Sequence, residues 1–251
     1  MRKRLTWILA VAVAASLLVA GVASAYKPAV IKVGNLTITF NGGFTPTKLS
    51  KSKLSPITLN ISGKIASNDG SHPPPLTSFV LEADKNTGID AKASKGVCKQ
   101  TQLEARTSDK AKQVCGKALI GTGKTDVELQ EPESQPVQLK SDLLVFNGGA
   151  KGGKTTLLIH AYLSQPVAAA VVTTVVVTKH KNGRYGLKSV ATIPKIAGYA
   201  GSVKEFNLKI NKKGYLLAKC PDGHIDAQGE AIFKGGPTAK GSVTRPCTPK
   251  G

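Results

Sequence analysis

The feature that most constrains this chain is an alternation of apolar and polar residues with a period of two. Residues 36–40 read Leu-Thr-Ile-Thr-Phe, and residues 57–62 read Ile-Thr-Leu-Asn-Ile-Ser. Successive side chains of a β-strand point to opposite faces, so each segment is typical of a strand with one buried face. Residues 167–178 form a long apolar run whose β-branched side chains favour a strand over a helix. The sequence therefore predicts an all-β fold.

Turn signals separate these segments along the chain, and Asn182-Gly183 is typical of a two-residue hairpin. We predict an antiparallel β-sandwich of about eleven strands. One short helix is expected, with Thr107 or Ser108 as its N-cap and Gly116 at its end. We expect a single domain over residues 26–251, and a division near residues 130–136 is the alternative.

The first 25 residues have the pattern of a secretory signal. Three basic residues precede an apolar stretch over residues 5–22, and Ala23-Ser24-Ala25 provides a small-residue cleavage site. We expect residues 1–25 to be removed after export by the general secretion route, since two consecutive arginines are lacking. The alternative is an uncleaved anchor, because the apolar stretch approaches the length of a bilayer span. The predicted location is outside the cell or in its envelope.

Four cysteines in an exported chain indicate two disulfides. Their order along the chain favours local pairs, Cys98 with Cys115 and Cys220 with Cys247, although three connectivities are formally possible. A structural zinc site is not indicated, because the closely spaced cysteine pairs of such sites are missing.

The chain is strongly basic. It has 35 lysine and arginine residues against 15 aspartate and glutamate residues, a formal net charge of +20. Nearly all of this charge is lysine, which lacks the planar fork that arginine uses for phosphate and base contacts, and no aromatic residues interleave with it. Specific nucleic-acid recognition is therefore not expected. Diffuse attraction to anionic envelope polymers is expected instead. The alternative is that the lysines keep the protein soluble and protect its sheet edges.

Residues 148–155 match the nucleotide-binding pattern Gly-x-x-x-x-Gly-Lys-Thr. That function needs a strand before the loop and a helix after it, whose N-terminal amides hold phosphate. Residues 155–163 instead begin with two threonines and alternate Leu157, Ile159, Ala161 and Leu163 on one face. We therefore interpret the segment as a hairpin turn, and a helix beginning at Lys154 would contradict this interpretation.

Asp84, Asn86 and Asp90 offer oxygen atoms at spacings that resemble a calcium loop. Gly88 stands where a further ligand is expected, and Lys95 stands at the twelfth position, where calcium loops have a bidentate acid. We keep a calcium site as a hypothesis and favour a turn between two strands.

No other pattern indicates catalysis. A nucleophile elbow is missing, and residues 50–53 match Ser-x-x-Lys without its companion motifs. We assign no catalytic or cofactor-binding residue, expect no cofactor, and expect structural roles for the histidines, none of which lies at a metal-binding spacing from another: His72, His160, His180 and His224.

Several segments resemble a group of exported, uncharacterised, β-rich proteins of actinobacterial type. They are residues 115–123, residues 185–187 followed by Ile193-Pro194, and residues 215–223 closing on Cys247. The similarity extends over most of the chain after residue 25, and its motifs are glycine turns, cysteines and core aromatics. The resemblance implies an exported β fold and carries over no activity.

We therefore predict an exported, non-enzymatic binding or structural protein of the cell envelope or extracellular space, with a cationic surface that contacts anionic wall polymers. The alternative is a secreted hydrolase that acts on wall polymer or glycan. A cleft in which titratable groups converge, for example around His160, would favour the hydrolase.

Overall fold

The computed structural model describes residues 27–130, 136–165, 168–195 and 200–251. These residues form sixteen β-strands and one α-helix, α1 (Ser108–Cys115), which confirms the all-β prediction. The predicted signal and most of the 130–136 connection lie outside the described residues. The strands are β1 (Ala29–Val33), β2 (Leu36–Thr45), β3 (Lys48–Ser50), β4 (Ser55–Ser67), β5 (Leu76–Asp84), β6 (Thr87–Ile89), β7 (Leu119–Gln130), β8 (Val137–Lys151), β9 (Lys154–Leu163), β10 (Ala169–Asn182), β11 (Tyr185–Thr192), β12 (Ala200–Ile210), β13 (Leu216–Ala218), β14 (His224–Phe233), β15 (Thr238–Pro246) and β16 (Thr248–Lys250).

Twelve of these strands lie in one antiparallel sheet, in the order β1-β2-β4-β12-β7-β8-β9-β10-β11-β5-β14-β15. The short strands β6 and β13 extend it beside β4, and β3 forms a separate parallel pair with β16. The sheet curls until β1 and β15, its two edges, lie next to each other. The molecule is thus one large, nearly closed sheet, which differs from the predicted sandwich of two sheets.

Two long-range insertions in the strand order explain this difference. β12 lies between β4 and β7, and β5 lies between β11 and β14, so segments far apart in sequence are hydrogen-bonded neighbours. The two insertions join what would otherwise be separate meanders into one continuous wall. Alternation specifies which face of a strand is buried, but it does not specify which strand lies beside it.

The alternation places apolar side chains on the inner face of the curled sheet. On β8, Leu143 and Val145 face inward, whereas Leu144 and Phe146 face outward. Both faces of this strand are buried, because a further segment covers its outer side. β10, which supplies the β-branched run of the sequence, contributes Val175 and Val177 to the inner face.

Residues 91–118, which we call the outer cap, cover the outer face of β8 and β9 from Cys98 onward. At the start of the cap, Ala91 and Ala93 pack against the inner cluster instead. The cap contains α1 and the disulfide Cys98–Cys115. The Thr107 hydroxyl accepts a hydrogen bond of 3.3 Å from the Lys110 amide, so Thr107 is the N-cap and the short helix occurs as predicted. The cap packs with Leu144 and Phe146 in one apolar cluster.

A second disulfide, Cys220–Cys247, joins the start of the β13–β14 connection to the residue that follows β15. Both predicted pairings are therefore confirmed. They are consistent with an oxidising compartment outside the cytoplasm. Among the described residues, no helix has the length and apolar character needed to cross a bilayer.

Candidate functional site

The inner face of the curled sheet lines an apolar cavity of about 240 Å³. Inward-facing side chains of β4 to β13 line it, and they are almost entirely aliphatic. Leu157 and Ile159 of β9, Val175 of β10 and Leu208 of β12 are typical members. Several lining side chains, such as Ile159, are only partly buried, because they border this space instead of a packed neighbour.

Two smaller spaces share walls with this cavity. One, of about 140 Å³, lies between β2, β4, β5 and the strands β13 to β15, and it shares Leu59, Ile61 and Leu216 with the main cavity. The other, of about 20 Å³, lies behind β1 and β15 and shares Phe79 and Phe206. The interior is therefore a row of adjoining apolar spaces.

The wall of the main cavity offers few polar atoms. Its polar side chains are Thr125, Thr173 and Ser189, and the Thr125 hydroxyl is already engaged in a 3.0 Å hydrogen bond to the Glu205 carbonyl. No charged side chain of the described residues lines it. A water molecule needs two to four polar partners in such a space, so the cavity suits apolar matter better than water.

Small side chains at inward positions create this space. Ala161, Thr173, Ser189 and Ala191 occupy inner-face positions where large residues would fill the interior. A scan of the alternating segments for small residues at apolar positions could have indicated a void. Its size could not be predicted, because it depends on how far the opposite walls lie apart.

Residues 148–155, the match to the nucleotide pattern, form a hairpin. Lys151 pairs with Lys154, and Gly152 and Gly153 between them have φ values of +58° and +73°. Positive φ at both central residues is the conformation of a tight hairpin turn. β9 begins at Lys154, so a strand stands where phosphate binding would need a helix, and the hairpin interpretation is confirmed.

The residues of the calcium hypothesis are engaged with the backbone. Asp84 accepts hydrogen bonds from the Asn86 and Asp226 amides, at 2.8 and 3.2 Å, and Asp90 accepts one from the Lys92 amide at 3.0 Å. Asn86 is buried. Among the described residues, no group of three or more His, Cys, Asp or Glu side chains is arranged to hold a metal ion.

His160 lies under the outer cap and is fully buried. Its Nε2 donates to the Arg106 carbonyl at 2.9 Å, while Nδ1 has no hydrogen-bond partner among the described residues. Burial lowers the pKa of His160, although the bond to Arg106 opposes this shift. The ring is therefore a neutral residue that anchors the cap. No carboxylate among the described residues forms a hydrogen bond or ion pair with it.

Sequence reasoning missed one group of polar side chains on the outer face. Ser202 of β12 and Glu128 of β7 are direct cross-strand partners, and His72 lies over them from the β4–β5 connection. His72 Nε2 is 2.9 Å from Ser202 Oγ, and its Nδ1 is 2.6 Å from Glu128 Oε1. Lys204 Nζ lies 3.2 Å from the other carboxylate oxygen. The distances match those of a serine nucleophile, its base and an orienting carboxylate.

The hydrogen bonds of Ser202 nevertheless argue against catalysis. Its side chain is fully buried, and its single proton is donated to the Pro73 carbonyl. Ser202 Oγ can then only accept from His72 Nε2, and a nitrogen that donates to the serine cannot also remove its proton. The group is therefore a clamp that holds the connection around residues 72 and 73 on the sheet.

Glu128 is the charged centre of this clamp. Burial alone would raise its pKa, but the hydrogen bonds from His72 and Lys204 outweigh burial and hold the pKa of Glu128 below its usual range. Two further histidines also face carboxylates: His180 Nε2 lies 2.8 Å from Glu82 Oε1, and His224 Nε2 lies 3.5 Å from Asp226 Oδ2.

No protein-family model, curated protein or solved structure matches this chain. The resemblance to exported actinobacterial β-rich proteins stays a prediction.

Proposed function

We propose that this protein is an exported, non-enzymatic binding protein that holds an apolar, chain-like molecule inside its curled sheet. The observation that carries the proposal is the cavity of about 240 Å³ with an almost wholly aliphatic lining. A large, well-formed apolar space is the default location of a ligand in a protein whose site is unknown. An apolar cavity of roughly 150 Å³ in another protein already binds benzene, so this one has room for a larger molecule.

The shape of the interior favours an acyl or isoprenoid chain over a compact ring. The main cavity runs along the inner faces of β9 and β10, from Leu163 and Val171 at one end to Leu157 and Val177 at the other. The adjoining space of about 140 Å³ extends it towards β2 and β13. Together the two spaces exceed the lower limit of about 300 Å³ that is usual for ligand pockets.

The chemistry of the lining supports binding over catalysis. None of the described side chains around the main cavity is titratable, so the wall offers neither a general base nor an activated nucleophile. Apolar burial supplies the affinity, at about 0.8 kcal/mol for each methylene group that leaves water.

The cationic surface supplies the second part of the proposal. With a formal net charge of +20 for the full sequence, and +17 without the three basic residues of the predicted signal, the protein is attracted to anionic surfaces and polymers of the envelope. This attraction would concentrate the protein where apolar chains are exposed, at a membrane or a lipid-modified polymer.

The proposal can be tested with saturated fatty acids of increasing length, measured by displacement of a polarity-sensitive dye. Each added methylene should lower Kd about fourfold until the interior is full, and longer chains should then bind no better. Ala191→Phe, which fills the cavity from β11, should weaken binding by about tenfold or more. Val190→Phe, at the adjacent position that faces outward, should not.

Failure of all chain lengths to displace the dye, or an equal effect of the Ala191→Phe and Val190→Phe variants, would refute the cavity as the binding site. Release of free acid from an ester ligand, lost in Ser202→Ala, would support the hydrolase alternative in its place.

A further inference from the structure

β1 and β15 form a seam in the wall of the curled sheet. Gly34 lies near Pro237, Ala29 near Gly241, and residue 27 near Arg245, so the two strands run side by side in opposite directions. They are nevertheless not paired with each other, because among the described strands β1 pairs only with β2 and β15 only with β14. The neighbours in the rest of the strand order are joined by strand pairing.

Side-chain packing closes the middle of the seam. The Ile31 side chain lies over Gly241, where a methyl group would stand 2.5 Å from its Cδ1 atom. Ile31 and Val33 also pack against the apolar cluster of β2, β14 and β15. Parting the two strands here would break apolar contacts without breaking a ladder of main-chain hydrogen bonds.

The two ends of the seam differ in strength. At one end, Arg245 of β15 reaches across to β2, where it donates to the Gly42 carbonyl and, at 2.9 Å, to the Asn41 side chain. At the other end, Pro237 Cγ lies 3.8 Å from the position that a Cβ atom would take at Gly34, and no backbone hydrogen bond among the described residues joins Gly34 to Pro237. The seam is therefore fastened at the Arg245 end and weakest at the Gly34 end.

Directly behind the seam lies the apolar space of about 20 Å³, bordered by Ile31, Ala239 and Gly241. Phe79 and Phe206 separate this space from the main cavity, since both rings border each of them. Phe206 lies against Gly63, where a methyl group would overlap its ring. An aromatic partition therefore stands between the seam and the cavity.

We propose that the seam is the route by which the apolar ligand enters, with the Gly34 end of β1 parting from β15 and the two phenylalanine rings turning aside. This inference rests on the proposed binding function. Parting any other neighbours of the strand order would break a paired ladder, for example the ten register pairs between β9 and β10. The seam is the side of the wall where opening breaks the fewest hydrogen bonds.

A cross-link over the seam tests this route. The Ala29 Cβ atom lies 3.9 Å from the position of a Cβ atom at Gly241, within the range of about 3.5–4.5 Å that a disulfide requires. The variant Ala29→Cys/Gly241→Cys should therefore hold the middle of the seam closed when oxidised, directly over the small apolar space behind it. The Ile31 side chain, which lies over Gly241, has to shift in this variant and equally in its control. Ala29→Ser/Gly241→Ser carries similar side chains and cannot cross-link, so it is the matched control.

The measurement is the uptake rate of a fluorescent fatty acid by stopped flow. The oxidised cysteine variant should take up the probe about tenfold or more slowly than the control, because a required opening is blocked. Its Kd should stay close to that of the control, since the cavity is unchanged. Mild reduction should restore the rate, because the two native disulfides are buried.

Equal uptake rates in the oxidised and reduced states would overturn the seam route while leaving the binding function intact. Absence of binding by the unaltered protein would overturn both. Hydrogen exchange gives a readout that needs no ligand: the β1 amides should exchange faster than those of β9, and the cross-link should protect them. Equal protection of β1 and β9 before cross-linking would also count against the route.

Discussion

Glu128 is a buried carboxylate on the outer face of the sheet, and it contacts two other polar side chains. It lies between His72 and Lys204, at 2.6 and 3.2 Å, and it joins the β4–β5 connection to the sheet. The carboxylate is the common partner of both side chains, so its loss would leave them without this partner near a buried surface. The sequence shows only a glutamate in an alternating segment.

Replacing Glu128 with glutamine should destabilise the protein by about 1–3 kcal/mol at pH 7, because two charge-assisted hydrogen bonds are lost. The pKa of Glu128 is lowered from 4.5 in the folded state, so its stabilising effect is complete above that pH and disappears as the pH falls. The free energies of unfolding of wild type and Glu128→Gln, measured with urea, should therefore converge below pH 4.5.

Glu230→Gln provides the control for this measurement. Glu230 forms an exposed pair with Lys240 at 3.4 Å, and its loss should change stability by less than about 1 kcal/mol. If the difference in free energy of unfolding between wild type and Glu128→Gln did not change with pH, Glu128 would stabilise the protein by packing and not by its charge.

At the scale of elements, the β8–β9 hairpin shows how a local pattern is resolved by its flanking strands. The same glycines that match a phosphate loop satisfy a two-residue turn, because both need backbone conformations with positive φ. What decides between them is the element that follows. The alternation of residues 155–163 requires a strand, and β9 is that strand.

Gly153→Ala should destabilise the hairpin by about 1–2 kcal/mol, because an L side chain is strained at φ +73°. No atom lies within 4 Å of the new methyl group, so the effect would be conformational and not steric. Gly116→Ala is the control: it has the same open surroundings but a φ of −56°. A similar loss of stability in both variants would contradict this explanation.

A second element is the outer cap, and its stability depends on one disulfide bond. Cys98 and Cys115 are 17 residues apart, and their disulfide closes the loop that carries α1. A helix of this length is marginal without tertiary support. The cap also shields His160, whose buried ring would otherwise meet water.

Removing this bond in Cys98→Ser/Cys115→Ser should lower the free energy of unfolding by about 3 kcal/mol. Hydrogen exchange should accelerate first in residues 91–118, while amides of β10 and β11 keep their protection. The variant Cys220→Ser/Cys247→Ser should leave the cap protected. Uniform acceleration along the chain after loss of the Cys98–Cys115 bond would show that the cap is not an independent unit.

At the scale of the whole molecule, the proposed function assigns the charge and the cavity to different partners. The net charge of +20 acts over the distance of a Debye length, about 10 Å at 0.1 M salt, and does not depend on any one lysine. The proposed binding in the cavity depends on contact between apolar groups instead. Added salt should therefore weaken binding to anionic surfaces and leave the binding of an apolar chain in the cavity nearly unchanged.

Binding to vesicles that contain anionic lipid should weaken steeply between 0.05 and about 0.5 M salt, whereas binding to neutral vesicles should be weak throughout. The Kd of a fatty acid in the cavity should change little over the same range, because apolar burial is not screened. Co-sedimentation measures the vesicle binding, and dye displacement measures the Kd of the fatty acid. Salt-independent binding to anionic vesicles would rule out the electrostatic part of the proposal.

The sequence alone determined the local properties of this protein. Alternation at residues 36–40 and 57–62 predicted strands with one buried face, and both segments lie in such strands, β2 and β4. The order of the cysteines predicted the two local disulfides, and the Thr107 cap predicted α1. These features depend on residues close together in the chain, whose side-chain period or cap geometry is set locally.

Only the tertiary structure decided how the strands close and what they enclose. The insertion of β12 beside β4 and β7 turned the predicted sandwich into one curled sheet, and it also placed Ser202 opposite Glu128. The cavity and the seam follow from the same closure. Their existence depends on distances between walls contributed by distant segments, and a pattern with a period of two carries no information about those distances.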